Sequence, residues 1–271
     1  VAEQVVLLPG MLCDAGLWSA VESAVDSTVL HAQPDAPSIT GMAEQVLSIV
    51  DGPFVLAGLS LGAIIGFEVA RLAPERIAGF AALATNAAAP RPEQHQAWWR
   101  QAQRAQAGGF PVVVDEILPA MFAEPQPPPE FARAFREMAA RIGPRRFLTQ
   151  LAAQATRTDA HEVLSAITAP ALVACGTADA LCPPEFHRAI AARLPDAELH
   201  EVPGAGHLLP IEAPEVTAEL LNRLLRRCRA MNEENDVARS VEAAGAEAGG
   251  HRRLRLAGAG PRDHRGRPHP R

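Results

Sequence analysis

Residues 54–77 read FVLAGLSLGAIIGFEVARLAPERI, an apolar run, then Gly58-Leu59-Ser60-Leu61-Gly62, then a helical apolar pattern that stops at Pro74. No other stretch constrains the fold as tightly. A short, wholly apolar run that turns sharply into a helix reads as a buried strand followed by its crossover helix, the unit of a parallel sheet. The serine has two readings. It packs a tight turn, or it is a nucleophile on a strained elbow, flanked by glycines because side chains there would strike the neighbouring strand and helix. In the second case the helix start offers free N–H groups and a positive dipole end to a developing anion.

The same alternation recurs on both sides. Val5 to Leu8 is an apolar run ending at Pro9-Gly10, a strand into a loop. A helix is predicted from about Gly16 to Val25, then a strand from Thr28 to Ala32. Ser38 or Thr40 caps a helix through Val50, with Met42, Val46 and Ile49 on one face. Strands are expected at Phe54–Ala57 and Ile77–Ala84, with a helix from Ser60 to Leu72 between them. From Ala87 to Ser165 only helical patterns occur, over 92–107, 111–122, 130–141 and 144–157, with the prolines from Pro125 to Pro129 as a stiff connector. Alternation then resumes: strand Ala171–Ala174, helix 183–193, strand Glu198–Val202, helix 212–227. The expected fold class is α/β, a mainly parallel sheet flanked by helices. Residues 1–86 and 166–230 form its core, and 87–165 a helical cap inserted into it.

The remainder, 231–271, has few large apolar residues and much Gly, Pro and Arg, so a disordered basic tail is expected. Residues 251–271 carry seven arginines against Asp263, a net +6, so with a formal total of −6 residues 1–250 carry −12. An acidic body argues against nucleic acid as a partner. The tail has no aromatics for stacking and no helical periodicity. No apolar run approaches the roughly 18 residues that cross a bilayer. The N-terminus lacks the basic and apolar regions of a signal peptide, so a cytoplasmic location is expected. Cys13, Cys175, Cys182 and Cys228 form no CxxC pair and have no histidine at metal-ligand spacing, so they read as buried free thiols and no metal is expected.

A serine hydroxyl needs a base. Of nine histidines, three lie in the tail and five in predicted elements or the insertion. His207, in VPGAGHLLPIEAPE, alone sits in a loop beyond a strand end. Its plain alternative is a surface loop histidine. The orienting acid is Asp179, in the turn Gly176-Thr177-Ala178-Asp179 after the preceding strand. Asp is also an ordinary turn residue, and Glu185 on the next helix is a weaker rival. The other position for such an acid, after the strand Ile77–Ala84, holds the uncharged Thr85-Asn86. An oxyanion hole is expected from the backbone N–H of Leu61, after the serine, and of Met11, in Pro9-Gly10-Met11-Leu12.

Taken together, LLPGMLCDAGLW (7–18), GLSLG (58–62), GTADALCPP (176–184) and GAGHLLPIEAPE (204–215) resemble the α/β-hydrolase superfamily in its compact bacterial esterase-like branch. The resemblance covers about residues 4–228. It implies a helical cap over a Ser60–His207–Asp179 triad and no cofactor. Two departures stand out: Pro9-Gly10 replaces the frequent His-Gly of the oxyanion loop, and the usual N-terminal hairpin has no counterpart in the sequence. A serine elbow excludes the dehalogenases and epoxide hydrolases of the superfamily, which use Asp there. The cap aromatics predict an apolar pocket, with Leu12, Trp98, Trp99, Phe122 and Leu208 as substrate contacts. Of the adjacent tryptophans, helical geometry lets one face the pocket squarely. A small-molecule partner is expected, a small or medium apolar ester. The alternatives are an enol-lactone or a meta-cleavage C–C bond on the same triad, or a ligand receptor that keeps the triad with little turnover. The oligomeric state has no signature.

Overall fold

The computed structural model describes residues 4–256, with side chains described as far as Val237 and at Ser240. In chain order the elements are β1 (Gln4–Leu8), β2 (Thr28–His31), α1 (Ile39–Ser48), β3 (Phe54–Leu59), α2 (Leu61–Leu72), β4 (Ile77–Leu83), α3 (Pro92–Arg104), α4 (Phe110–Ile117), α5 (Pro129–Ala155), α6 (His161–Leu164), β5 (Ala171–Gly176), α7 (Pro184–Ala191), β6 (Ala197–Val202), α8 (Leu209–Glu212) and α9 (Pro214–Leu256). The chain divides into two units, Val1–Cys228 and Arg229–Arg271.

Six strands form one sheet in the order β2-β1-β3-β4-β5-β6, and every neighbouring pair is parallel. The strands build outward from β1 in one direction to β2 and in the other through β3. The β1/β3 boundary is therefore the switch point of the sheet, where crevices open at the carboxyl ends of strands. Pairing is in step there: Leu8 lies beside Gly58, Leu59 beside Leu83, and Leu83 beside Ala174. The loops after β1, β3, β4 and β5 consequently emerge at one edge.

The strands read as apolar runs because both sheet faces are covered. Val5, Leu7, Val55, Ala57 and Leu59 face a core shared with Trp18, with Phe110, Phe135 and Phe147 of the insertion, and with Leu221 and Leu224 of α9. Val6, Leu8, Phe54 and Leu56 face the other way, onto Met42 and Val46 of α1, Ile65 and Val69 of α2 and Ile190 of α7. The insertion thus shares an apolar core with the sheet.

Two expectations change and one holds. The helix predicted over Gly16–Val25 is two 3₁₀ turns, Ala15–Trp18 and Glu22–Ala24. Gly16, Ser19 and the β-branched Val21 and Val25 are poor helix formers, and Asp14 accepts the Gly16 N–H to start a tight turn instead. The segments expected at 130–141 and 144–157 lie within α5 and meet at Gly143, which breaks the helix with φ 68° and ψ 169°. Pro144 disfavours helical backbone in the residue before it, and glycine takes the left-handed value without a Cβ clash. Finally, the tail expected to be disordered from 231 is helical to Leu256 as the continuation of α9. Ala, Glu and Arg dominate that stretch, and no proline occurs between Pro214 and Pro261, so backbone propensity favours helix even where few large side chains occur. The last residues of that tail, 257–271, lie outside the described part. Among the described residues no helix is long and apolar enough to cross a membrane.

Candidate active site

Ser60 sits between β3 and α2 with φ 54° and ψ −112°, a backbone that side-chain-bearing residues rarely hold. Such strain costs about 1–3 kcal/mol and persists only where the surroundings over-determine it. Here they do. The Ser60 N–H donates to the Leu83 carbonyl at 2.8 Å, and the Ser60 carbonyl accepts from the Ala63 and Ile64 N–H groups and from Thr85 Oγ1 at 3.0 Å. A Cβ on Gly62 would lie 2.2 Å from the Leu8 carbonyl oxygen, and one on Gly58 would lie 2.4 Å from the Ala63 nitrogen. The glycines let strand and helix close on the serine.

His207, in the loop between β6 and α8, and Asp179, in the loop after β5, are both buried, at 3% exposure each. His207 Nδ1 and Asp179 Oδ2 are 2.8 Å apart. A carboxylate only accepts, so the proton sits on Nδ1 and Nε2 is left with its lone pair. The other carboxylate oxygen, Oδ1, accepts the Leu181 and Cys182 N–H groups at 2.9 Å each, which fixes the Asp179 rotamer. The two loops are tied together by Ala178 N–H to the Ala205 carbonyl at 2.9 Å and Gly204 N–H to Thr177 Oγ1 at 3.0 Å. Glu185, the rival acid, is exposed on α7.

The loop after β1 turns at Met11-Leu12, closed by Cys13 N–H to the Gly10 carbonyl at 3.2 Å. Leu12, in the second central position, has φ 64°. Glycine is usual there. Leu12 holds the conformation because its side chain is fully buried and its N–H donates to Gln150 Oε1 of α5 at 3.1 Å. The Leu61 and Met11 N–H groups have no acceptor among the described residues.

Ser60, His207, Gly10, Met11 and Leu12 line one cavity of about 330 Å³. Ile64, Trp98, Ile117 and Met121 add apolar wall, and Asn86, Gln94, Gln101, Gln154 and Arg157 add polar wall. The pocket expected to be apolar from the cap aromatics is therefore mixed, mainly apolar with one polar wall. Of the expected substrate contacts, Leu12 and Trp98 line this cavity. Trp99 does not: one helical step from Trp98 turns it outward, 65% exposed, into a surface groove beside His95 and Leu148. Phe122 stacks on Phe131 at 5.9 Å and meets Phe135 edge-on at 6.4 Å, so its ring belongs to the insertion's core. Leu208 is fully buried in the same apolar core.

Several positioning residues have no signature in the sequence. His187 of α7 is fully buried, and its Nε2 accepts the Thr85 N–H at 2.8 Å, just beside the serine turn. Burial pushes its pKa down to about 4, so the ring stays neutral and keeps that lone pair. Glu212 of α8 accepts Gly206 N–H at 3.0 Å through one oxygen and Ala123 N–H at 2.8 Å through the other, bridging the His207 loop to the insertion. Burial raises the Glu212 pKa, against the N–H groups that favour its charged form. The potential ligand atoms of Asp179, Cys182 and His207 lie within 4.8 Å of one another. This set suits a histidine–carboxylate pair better than a metal: Asp179 and His207 are bonded to each other, and burial pushes the Cys182 thiol up to about 12, keeping it protonated. All four cysteines are buried.

The chain belongs to the alpha/beta hydrolase family, whose model matches residues 5–220. Among solved structures it is similar to a thermophilic esterase from Thermogutta terrifontis with malate bound, at 27% identity and TM-score 0.75, over 84% of this chain and 91% of that one. It is also similar to an enol-lactonase from Burkholderia xenovorans, at 22% identity and TM-score 0.73, over 83% and 92%. MenH from S. aureus aligns at 15% identity and TM-score 0.77, over 84% and 94%. The last two likenesses show the fold alone. A search of the curated proteins found no match.

Proposed function

We propose that this chain is a serine hydrolase that cleaves small to medium carboxylic esters through an acyl-enzyme on Ser60. The observation that carries the reading is the buried 2.8 Å bond between His207 and Asp179, with His207 and the strained Ser60 on one cavity. Ser60 Oγ attacks the ester carbonyl as His207 Nε2 takes its proton. The imidazolium that forms is stabilised by Asp179, which stays ionised. Charge on the carbonyl oxygen falls to the free Leu61 and Met11 N–H groups. His207 then gives the proton to the departing alkoxide. In the second half a water, deprotonated by the same Nε2, attacks the acyl group and returns Ser60 to its starting state.

A cavity of about 330 Å³ lies at the small end of ligand pockets, which span about 300–1,000 Å³, and this supports a small substrate. The Thermogutta neighbour's esterase activity supports ester over other acyl groups. The test is fluorophosphonate labelling with peptide mapping, beside turnover of p-nitrophenyl acetate and butyrate. Labelling at Ser60 with turnover lost in Ser60→Ala is the expected result. An unlabelled Ser60, or activity surviving Ser60→Ala, refutes it. Stoichiometric labelling without multiple turnover would favour a receptor that retains the triad.

A further inference from the structure

Arg157 is 7% exposed and lines the Ser60 cavity, yet among the described residues no carboxylate pairs with it. Its guanidinium donates once to Gln154 Oε1 at 3.2 Å and once to Asn86 Oδ1 at 3.3 Å. Nε has no partner. A guanidinium carries five N–H groups, so three remain unmet by protein atoms. The nearby acids are committed elsewhere. Glu68 is paired with Arg71, and Asp159 with His161. Glu116, at the cavity mouth, is exposed and paired with Arg104.

Burying an unpaired cation is expensive, and burial pushes the Arg157 pKa below its ordinary value. The group nonetheless stays charged at neutral pH. Trp98 makes a cation–π contact with it, the guanidinium carbon lying 5.7 Å from the ring centroid, and both residues line the cavity. The result is a held, uncompensated guanidinium on the wall of the cavity that Ser60 also lines. A neutral ester offers its donors only uncharged acceptors. A carboxylate answers a guanidinium with two parallel hydrogen bonds.

We propose that the substrate carries a carboxylate at its non-reacting end, and that Arg157, held by Asn86, Gln154 and Trp98, binds it in the Ser60 cavity. The word substrate rests on the acyl-enzyme reading; the anion site itself does not.

The test separates the two. Binding of monomethyl glutarate and of dimethyl glutarate is measured by calorimetry on the Ser60→Ala chain, which cannot turn over either. These probes differ by one negative charge. Monomethyl glutarate is expected to bind about 10- to 100-fold more tightly, the range of a charge-assisted hydrogen-bond pair. Adding Arg157→Gln should erase the difference, and Arg157→Lys should restore part of it, because charge returns without the fork. Equal binding of the two probes by Ser60→Ala overturns the proposal without any Arg157 variant being needed. A preference that survives Arg157→Gln also overturns it. In kinetics, the ratio of kcat/KM for p-nitrophenyl hydrogen glutarate over p-nitrophenyl butyrate should fall in Arg157→Gln by a similar factor. If neither ester is turned over by the parent chain, the hydrolase reading fails while the binding result still decides the anion site.

Discussion

Gln150 Oε1 accepts the Leu12 N–H at 3.1 Å, joining two residues 138 positions apart in the chain. One end is a helix of the insertion, and the other is the left-handed residue of the turn that presents Met11. The bond fixes the loop proposed to supply half of the oxyanion hole, and it does so from the insertion. Gln150→Leu keeps the bulk and removes the acceptor, leaving a buried N–H unmet at a cost of about 1–3 kcal/mol. Urea unfolding is expected to show that loss. The kcat for short-chain esters should drop as Met11 loses its register, with KM moving less. An unchanged kcat at reduced stability would confine Gln150 to a structural role.

Asp179→Asn tests the acid without disturbing its turn. Asparagine keeps the oxygen that accepts from Leu181 and Cys182, so the loop is retained. Toward His207 it offers an amide N–H, which places the imidazole proton on Nε2, where it cannot take the Ser60 proton. A fall in kcat of roughly a thousand- to ten-thousandfold is expected. Activity within a few fold of the parent would reduce Asp179 to a turn residue.

Glu212 is a positioning residue for His207, because each of its oxygens holds a backbone N–H, at Gly206 and at Ala123. Glu212→Gln replaces one acceptor with a donor facing an N–H. A stability loss of about 1–3 kcal/mol is expected, with a decline in kcat larger than the change in KM. If kcat holds while stability falls, Glu212 braces the insertion and not the base.

His187 makes the fold sensitive to pH. Its native pKa is held near 4, below the roughly 6.5 of an unfolded histidine. The unfolded chain therefore binds the extra proton between those values. The full contribution is present above about pH 6.5 and is lost as pH falls toward about 4, by at most about 3 kcal/mol. Unfolding free energies measured from pH 7 to 4 should decline more steeply in the parent than in His187→Gln, whose amide oxygen also accepts the Thr85 N–H. Parallel curves would contradict the depressed pKa.

Much of this was readable in the sequence, for local reasons. The apolar runs mark β1, β3, β4 and β5 because strands buried on both faces have no polar side to display. Gly58 and Gly62 around Ser60 mark the elbow, because only a strand-to-helix turn of that tightness needs both. Chain order singles out Asp179 and His207. Elements without such local pressure were misread. Gly16–Val25 has an apolar face but weak helix formers, and tertiary burial of Leu17, Trp18 and Val21 is met by two short turns. The tail offers few core-forming side chains, yet its Ala, Glu and Arg favour helix, and α9 runs to Leu256.

The pocket is where sequence reasoning falls short. An aromatic in a helix looks the same whether it lines a cavity or fills a core, and only packing sends Trp98 inward, Trp99 to solvent and Phe122 onto Phe131. Arg157 looks like any of the chain's many surface arginines, because no local pattern records that a side chain is buried without a counter-charge. Local sequence determined the sheet, the elbow and the candidate serine, acid and base, since each obeys a short-range steric or chemical rule. Tertiary structure alone decided what surrounds them, because a cavity wall is assembled from residues far apart in the chain, and its charge balance exists only once they meet.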